Sequence, residues 1–580
     1  MTVKMMVGLT PSLSAKDAGK GAPPPGRAAL HLAILLTVFL LGAAPAFAQK
    51  TADARNPILD YIDRGWTVLS RSPTECKTVA DPKTEKSVLY FPAGFDVPQS
   101  AQQLTKCGVK LDHLPAPITR LGQVDLTKIQ PHALLYLPNT YVVPGGFFNE
   151  MYGWDSYFIL RGLLDDKARS RAGIARGMVD NFFFEIEHYG AVLNANRGYF
   201  LTRSQPPFLT SMIMAVHEAQ EQLGQDDHAW LERAYGYAAR DYELWVTEPH
   251  LAGSTGLSRY YDFGEGPVPE ITDSKDSYYY DVARQLGGRP QLMDGFLTPE
   301  SVGNTPAEWP RISAYMCAEG KPPGSGCPIA GTLAYTSDYY KGDRSMRESG
   351  FDISFRFGPF GARTHHFAPV CLNSLLFKTE QDLAALARLL GKADDAARWD
   401  QRAETRRAAM NKYLWDEQAG MFFDYDLDRN SRSNYIYAST FYPLWAGLAS
   451  KEQARAVAEN LKLFERPGGL ATSDRETGVQ WDLPYGWAPL QLIAVEGLRR
   501  YGFKDRANSI ALKFVSTVLE NFQRDGTIRE KYNAVTRSSE AKVTAGYQTN
   551  VVGFGWTNGV FLELLGVLPH EQRERLRLAP

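Results

Sequence analysis

Residues 204–224 read SQPPFLTSMIMAVHEAQEQLG and, after a short polar break, residues 228–246 read HAWLERAYGYAARDYELWV. In both, apolar residues recur at three-and-four spacing, which marks a helix with one buried face. The first run opens on Ser204 and a pair of prolines and stops at Gly224, as helix starts and stops do. The pattern returns in LLFKTEQDLAALARLLG (375–391), DAARWDQRAETRRAAMNKYLW (395–415), KEQARAVAENLKLF (451–464), APLQLIAVEGLRRYG (488–502) and DRANSIALKFVSTVLENFQ (505–523). Between these runs lie loops dense in Gly, Trp, Tyr and acids, while strand patterns are few and short. Helix and rich loop in alternation predict an all-α toroid whose long loops gather at one mouth.

The 580-residue chain is near neutral, with 63 Lys+Arg against 65 Asp+Glu, and its 44% hydrophobic residues suffice for a large core. No basic excess points to nucleic acid. At the N-terminus Lys16, Lys20 and Arg27 precede the apolar run AALHLAILLTVFLLGAA, which ends in APAFAQ. Ala46 and Ala48 flank Phe47 as a signal peptidase requires, so residues 1–48 read as a signal peptide cleaved after Ala48. The expectation is a periplasmic or secreted protein with no stable membrane association after cleavage. Residues 49–130 read as an N-terminal arm and 131–580 as the main domain. Among five cysteines, Cys76–Cys107 and Cys317–Cys327 are the expected disulfides, and Cys371 a buried thiol. No Cys or His cluster has metal-ligand spacing, His365–His366 reads as structural, and no cofactor is implied. The Pro/Gly-rich segment between Arg284 and Glu348 reads as a long loop insertion.

The chemistry is concentrated in five stretches. PGGFFNEMYGWDSYF (144–158) sets Phe147, Phe148, Tyr152, Trp154, Tyr157 and Phe158 beside Glu150 and Asp155. Aromatic faces pack on the C–H faces of a pyranose while carboxylates take its hydroxyls, so this mixture suits a carbohydrate cleft. NRGYFLTRSQPP (196–207), RESGFDISFRF (347–357), QWDLPYGWAPLQ (480–491) and REKYNA (529–534) add amides, guanidiniums and further acids. Glycoside hydrolysis needs one protonated and one ionised carboxyl. Asp352, among aromatics, suits the acid, and Glu530, between Arg529 and Lys531, suits the base. Asp155 and Asp482 are the other candidates, and each follows a Trp.

These stretches, taken together, resemble the trehalase family of inverting glycoside hydrolases. PGGFFNEMYGWDSY covers its first signature and QWDLPYGWAP its second, with RSQPP (203–207), ESGFD (348–352), REKYN (529–533) and GFGWTNGV (553–560) in family order. The resemblance implies an (α/α)6 barrel and single displacement with inversion of a small disaccharide or glucoside, with Asp352 as general acid and Glu530 as general base. It implies a sugar pocket lined by Phe148, Tyr152, Trp154, Asp155, Asn196, Arg203, Gln205 and Glu270, with Trp481, Asp482 and Trp556 nearby. Inversion would set the two carboxyls about 6.5–9.5 Å apart.

Several positions depart from the family pattern. Phe147 and Val268 stand where substrate arginines are expected, Tyr485 replaces an Asn, Phe351 a Trp, and VTAGYQTN (543–550) lacks a Glu, with Tyr547 nearest its place. Lys275 and Arg259 are the cations that could compensate. Trehalose is the first expected substrate, another α-glucoside the second, and a silent sugar-binding relative the third.

Overall fold

A computed structural model describes residues 56–578 apart from 81–83, 85, 166–169, 272–277, 288–294, 300–309, 311, 316–328 and 546–548. Six helices, Gly153–Leu164, Leu209–Gln222, Val370–Leu389, Tyr442–Ala446, Ala488–Arg500 and Gly555–Val567, touch one another in that order, and the last closes on the first. This ring is the inner wall of the expected all-α toroid. The helices Ala172–His188, His228–Trp245, Ala393–Tyr413, Lys451–Glu459 and Lys504–Asp525 alternate with them along the chain.

Burial explains the division. Gly153–Leu164 buries every residue except Arg161, so it is covered all round, as a helix apolar on every side must be. Ala393–Tyr413 buries only Ala396, Trp399, Ala403, Arg406 and Met410, one stripe at helical spacing. Its charged remainder faces water.

The ring closes where two glycines meet. A Cβ on Gly162 would lie 2.5 Å from Gly559 Cα, and one on Gly559 would lie 2.1 Å from the Phe158 carbonyl oxygen. No larger residue permits that approach. Helix Pro57–Leu69 packs on the same joint, its Trp66 ring beside Gly162, and strand Ser70–Arg71 pairs with Tyr141–Val142. The first part of the 49–130 segment is thus attached to the barrel. Its remainder includes a parallel sheet of Val88–Phe91, Lys110–His113 and Leu134–Leu135, beside the Cys76–Cys107 disulfide. Cys371 is buried and free, whereas Cys317 and Cys327 lie outside the described residues, as do residues 1–48.

One expectation is revised. The segment after Arg284 reads as loop, yet Leu297–Pro299 and Ile312–Tyr315 pair antiparallel with a central strand, Ile329–Tyr335, which leads into helix Ser337–Glu348. Tyr335, Tyr339 and Tyr340 bury their rings in a separate core with Tyr278 and Tyr279, so aromatic burial outweighs the local glycine content. No helix among the described residues is long and apolar enough to cross a membrane.

The close joint yields a stability test. Gly559→Ala should destabilise the protein by about 1–3 kcal/mol through overpacking. Gly566→Ala on the same helix meets open space and should be neutral or mildly stabilising. Equal denaturant midpoints for the two variants would refute the glycine-dependent closure.

Candidate active site

The mouth of the barrel is built by loops that hold one another through their backbones. Trp481 N donates to the Ile353 carbonyl at 3.0 Å and Gln480 Nε2 to the Asp352 carbonyl at 2.5 Å. The Asp482 carboxylate accepts from Phe355 N at 3.0 Å, Ser354 Oγ at 3.3 Å and Thr477 Oγ1 at 2.7 Å. The second signature therefore cradles the turn that carries Asp352. Strand Tyr485–Trp487 then pairs antiparallel with Lys531–Asn533, setting Trp487 opposite Lys531 and Glu530 beside the same cradle. The Glu530 carbonyl accepts from Trp556 Nε1 at 3.2 Å and Thr557 Oγ1 at 3.3 Å. Both candidate carboxyl groups thus sit on backbone clamped by the other motifs.

Their surroundings differ in kind. The Asp352 side chain keeps 32% of its surface exposed, and burial by surrounding protein raises its pKa to about 6 against the lowering charges of Arg347 and Arg203. Arg347 Nη1 stands 3.5 Å from Asp352 Oδ2. Glu530 is buried and receives a 2.8 Å hydrogen bond from Lys531 Nζ, whose ammonium also lies over the Trp487 ring. Asp155, at the start of helix Gly153–Leu164, is buried, and its pKa is driven well above the carboxylate range by desolvation, then by the charges of Glu530 and Asp352. Three carboxyls from distant parts of the chain therefore converge. Burial, followed by the charges of Glu530 and Asp352, favours the protonated form of Asp155.

Buried Arg203 forms an ion pair with half-buried Glu270, with Asp262 3.7 Å from the same guanidinium. Desolvation opposes ionisation of Glu270, but Arg203 and Arg347 outweigh it and lower its pKa. Glu270 Oε2, Arg203 Nε and Arg347 Nε have no hydrogen-bond partner among the described residues, which leaves polar capacity for a hydroxyl-rich ligand. Trp154 packs edge-on with Phe351 at 5.5 Å and with Trp556 at 5.7 Å, while Trp481 stacks on Trp487 at 3.9 Å. Phe148 and Tyr152 meet at 5.5 Å on the adjoining wall.

Other expected ligands are engaged by the protein itself. Asn196 Oδ1 accepts from Met151 N and its Nδ2 donates to the Leu135 carbonyl, both at 2.8 Å, so its amide ties three segments. Gln205 Oε1 accepts from Trp154 N at 2.9 Å, covering an unpaired amide at the helix start. Asp482, wholly buried, organises a turn, and burial raises its pKa to about 6. Phe147 is 67% exposed at the rim and Val268 is wholly buried, so neither offers a polar group to the pocket. Arg259 donates to the carbonyls of Pro249 and His365, and Lys275 lies outside the described residues.

Sequence reasoning passed over Arg347 and Glu348. Arg347 stacks over Tyr278 at 5.1 Å, which aims it at Asp352. Glu348 is fully buried and accepts from Ser204 N, Tyr261 N and His250 Nε2, locking the helix end that precedes Asp352. Their position five and four residues before Asp352 was the available signal. A cavity of about 1010 Å³ lies elsewhere, among later residues of the inner helices such as Arg161, Glu218, Arg388 and Glu563.

With this geometry in place, the comparisons with known proteins identify the lineage. The trehalase family model matches residues 67–286 and 333–569, well over half the chain. The chain belongs to the trehalase family. It is 36% identical to a probable trehalase of Eremothecium gossypii over 457 residues, covering 73% of this chain and 57% of that one. It is also 36% identical to the cytosolic neutral trehalase of Emericella nidulans over 477 residues, covering 75% and 58% respectively. This trehalase-family chain therefore spans somewhat under three fifths of the length of those relatives. Among solved structures, neutral trehalase Nth1 from Saccharomyces cerevisiae superposes with a TM-score of 0.69 at 29% identity, covering 90% of this chain and 96% of the other. Several relatives, from Emericella nidulans, Neurospora crassa and Saccharomyces cerevisiae, are cytosolic by name, which overturns the expectation of a periplasmic or secreted protein. That expectation rested on a leader outside the described residues.

Gly350 tests the cradle. It holds φ at +74°, and a Cβ there would stand 2.8 Å from the Trp154 ring. Gly350→Ala should displace the Asp352 turn and lower kcat/KM at least about tenfold, at a stability cost of about 1–3 kcal/mol. Unchanged kinetics in a folded variant would show that the turn is not under this constraint.

Proposed function

We propose that the protein hydrolyses trehalose to two glucose molecules by single displacement with inversion. Asp352 protonates the bridging oxygen as the bond to the anomeric carbon breaks, and the leaving glucose departs with that proton. Water attacks the same carbon from the opposite face and gives its proton to Glu530. The carrying observation is the convergence of Asp352, Glu530 and Asp155 in one aromatic-lined mouth, with the Asp352 pKa lifted to about 6 while Lys531 neutralises Glu530. A general acid performs best with a pKa near the working pH. The mechanism asks the two carboxyls to stand about 6.5–9.5 Å apart with water between them.

Recognition of sugar hydroxyls falls to Arg203, Glu270 and Asp155, with Trp154, Trp481 and Trp556 forming the apolar wall. Arg347 supplies a guanidinium where Phe147 and Val268 do not, and a hydrogen bond to a charged group contributes about 1.5–3 kcal/mol. The second reading, an inverting enzyme for another α-glucoside, is favoured by those same two positions, since each leaves part of the leaving-group side without its cation.

Proton NMR of early turnover decides between them. Trehalose should yield α- and β-glucose in equal amounts, with loss of about 10²–10⁴-fold in kcat for Asp352→Asn and for Glu530→Gln. No release from trehalose, with turnover of another α-glucoside, would favour the second reading, and formation of α-glucose alone would sink inversion.

The pH dependence follows from Asp352. Catalysis requires its protonated form, so kcat/KM should fall as pH rises through about 6. Arg347 favours the ionised form, so Arg347→Gln should move this alkaline limb to higher pH while raising KM. A limb that stays in place would remove Arg347 from contact with the acid.

A further inference from the structure

Away from the mouth, the pair His365–His366 gains two partners that the sequence does not place beside it. His365 Nε2 and His366 Nε2 both lie 2.9 Å from Asp338 Oδ1, and their rings are 3.9 Å apart. Candidate donor atoms of the three residues all fall within 4.8 Å of one another. On its other side, His366 Nδ1 faces Asp428 Oδ2 at 3.2 Å. A neutral imidazole has one N–H, so His366 cannot donate to both carboxylates unless it carries a full positive charge. Coordination of a cation through Nε2 resolves this, because Nδ1–H then donates to Asp428. That carboxylate–histidine–metal order is the usual support for a ligating imidazole. His365 Nδ1 is buried without a hydrogen-bond partner among the described residues, so nothing fixes its proton there or prevents Nε2 from presenting a lone pair.

We propose that Asp338, His365 and His366 bind one divalent first-row transition cation of the zinc type. Two imidazoles and a carboxylate match the ligand preference of such ions, which hard cations such as Ca²⁺ and Mg²⁺ do not share. Metal–ligand bonds of about 2.0–2.2 Å separate neighbouring donors by about 2.8–3.6 Å for right-angled to tetrahedral coordination, which accommodates the two 2.9 Å separations from Asp338 Oδ1. Two guanidiniums border the cluster, but Arg363 is engaged by Asp426 and Asp428, and Arg259 by the carbonyls of Pro249 and His365.

The site has a structural consequence. Asp338 lies in the first turn of helix Ser337–Glu348, whose last turn carries Arg347 and Glu348. A bound cation pins that helix to the turn Thr364–His366, and Asp428 ties the turn to the segment after strand Tyr425–Asp426. The ion therefore stabilises the wall behind the mouth without meeting substrate, and the proposal does not depend on which glucoside is cleaved.

The test is titration of the full chain, freed of metal by EDTA and dialysis, with Co²⁺ as a visible probe. One Co²⁺ per chain should bind with d–d absorption, Zn²⁺ should displace it, and Zn²⁺ should raise Tm by at least about 2 °C. Asp338→Asn and His366→Gln should each abolish the absorption, whereas His570→Ala, at an exposed pair with Glu574, should leave it intact. Because a variant can fail through misfolding, X-ray absorption of the Zn²⁺-loaded wild type supplies a second reading, with two imidazole nitrogens expected in the coordination shell. No Co²⁺ uptake, uptake unaltered in both ligand variants, or a shell without imidazole would overturn the proposal.

Discussion

The mouth depends on the contact between helices Gly153–Leu164 and Gly555–Val567, the first and last of the inner ring. Gly162 and Gly559 let their backbones touch, and this closure brings Trp154 from one helix against Trp556 from the other. Trp556 and Thr557 in turn hold the Glu530 carbonyl. A wider joint would separate Asp155 from Glu530, whose charge is one reason its own pKa is raised. Loops could not hold these groups alone, because each buried carboxyl needs a fixed set of donors or cations to offset its lost hydration.

The aromatic wall and the carboxyls are parts of one device. Trp154, Phe351, Trp481 and Trp556 form a ring cluster beside the turn that carries Asp352, and burial by the surrounding protein raises the Asp352 pKa. Glu530 is more deeply buried than Asp352 and has Lys531 at 2.8 Å. Arg347 draws the Asp352 pKa down from where burial alone would set it.

Much of this was legible in the sequence, and the limits have physical causes. Three-and-four spacing exposed the helices because each outer helix must hide one stripe, as Trp399, Ala403, Arg406 and Met410 do. The motif stretches stood out because aromatics and acids seldom share a loop without a polar ligand to meet. Asn196, Gln205 and Asp482 look the same in sequence whether they meet a sugar or a backbone amide, and only the fold reveals that backbone engages them. The strands before Tyr335 were hidden by their glycines and prolines, and the Asp338 partnership of His365 and His366 by a separation of 27 and 28 residues.

Arg347 shows how a site can regain part of a lost charge from another residue. The guanidiniums expected at 147 and 268 are absent, and those positions have become an exposed rim ring and a core side chain. A pocket that lost two cations outright would leave Glu270 facing Asp352 with only Arg203 between them. Repulsion would then raise both pKa values and leave sugar hydroxyls without strong donors. Arg347 enters from helix Ser337–Glu348, within reach of both acids, and Tyr278 and Asp343 fix its direction. It restores one of the missing charges from a different part of the chain. The pocket therefore has a guanidinium beside Asp352 and Glu270 that enters from helix Ser337–Glu348 rather than from position 147 or 268.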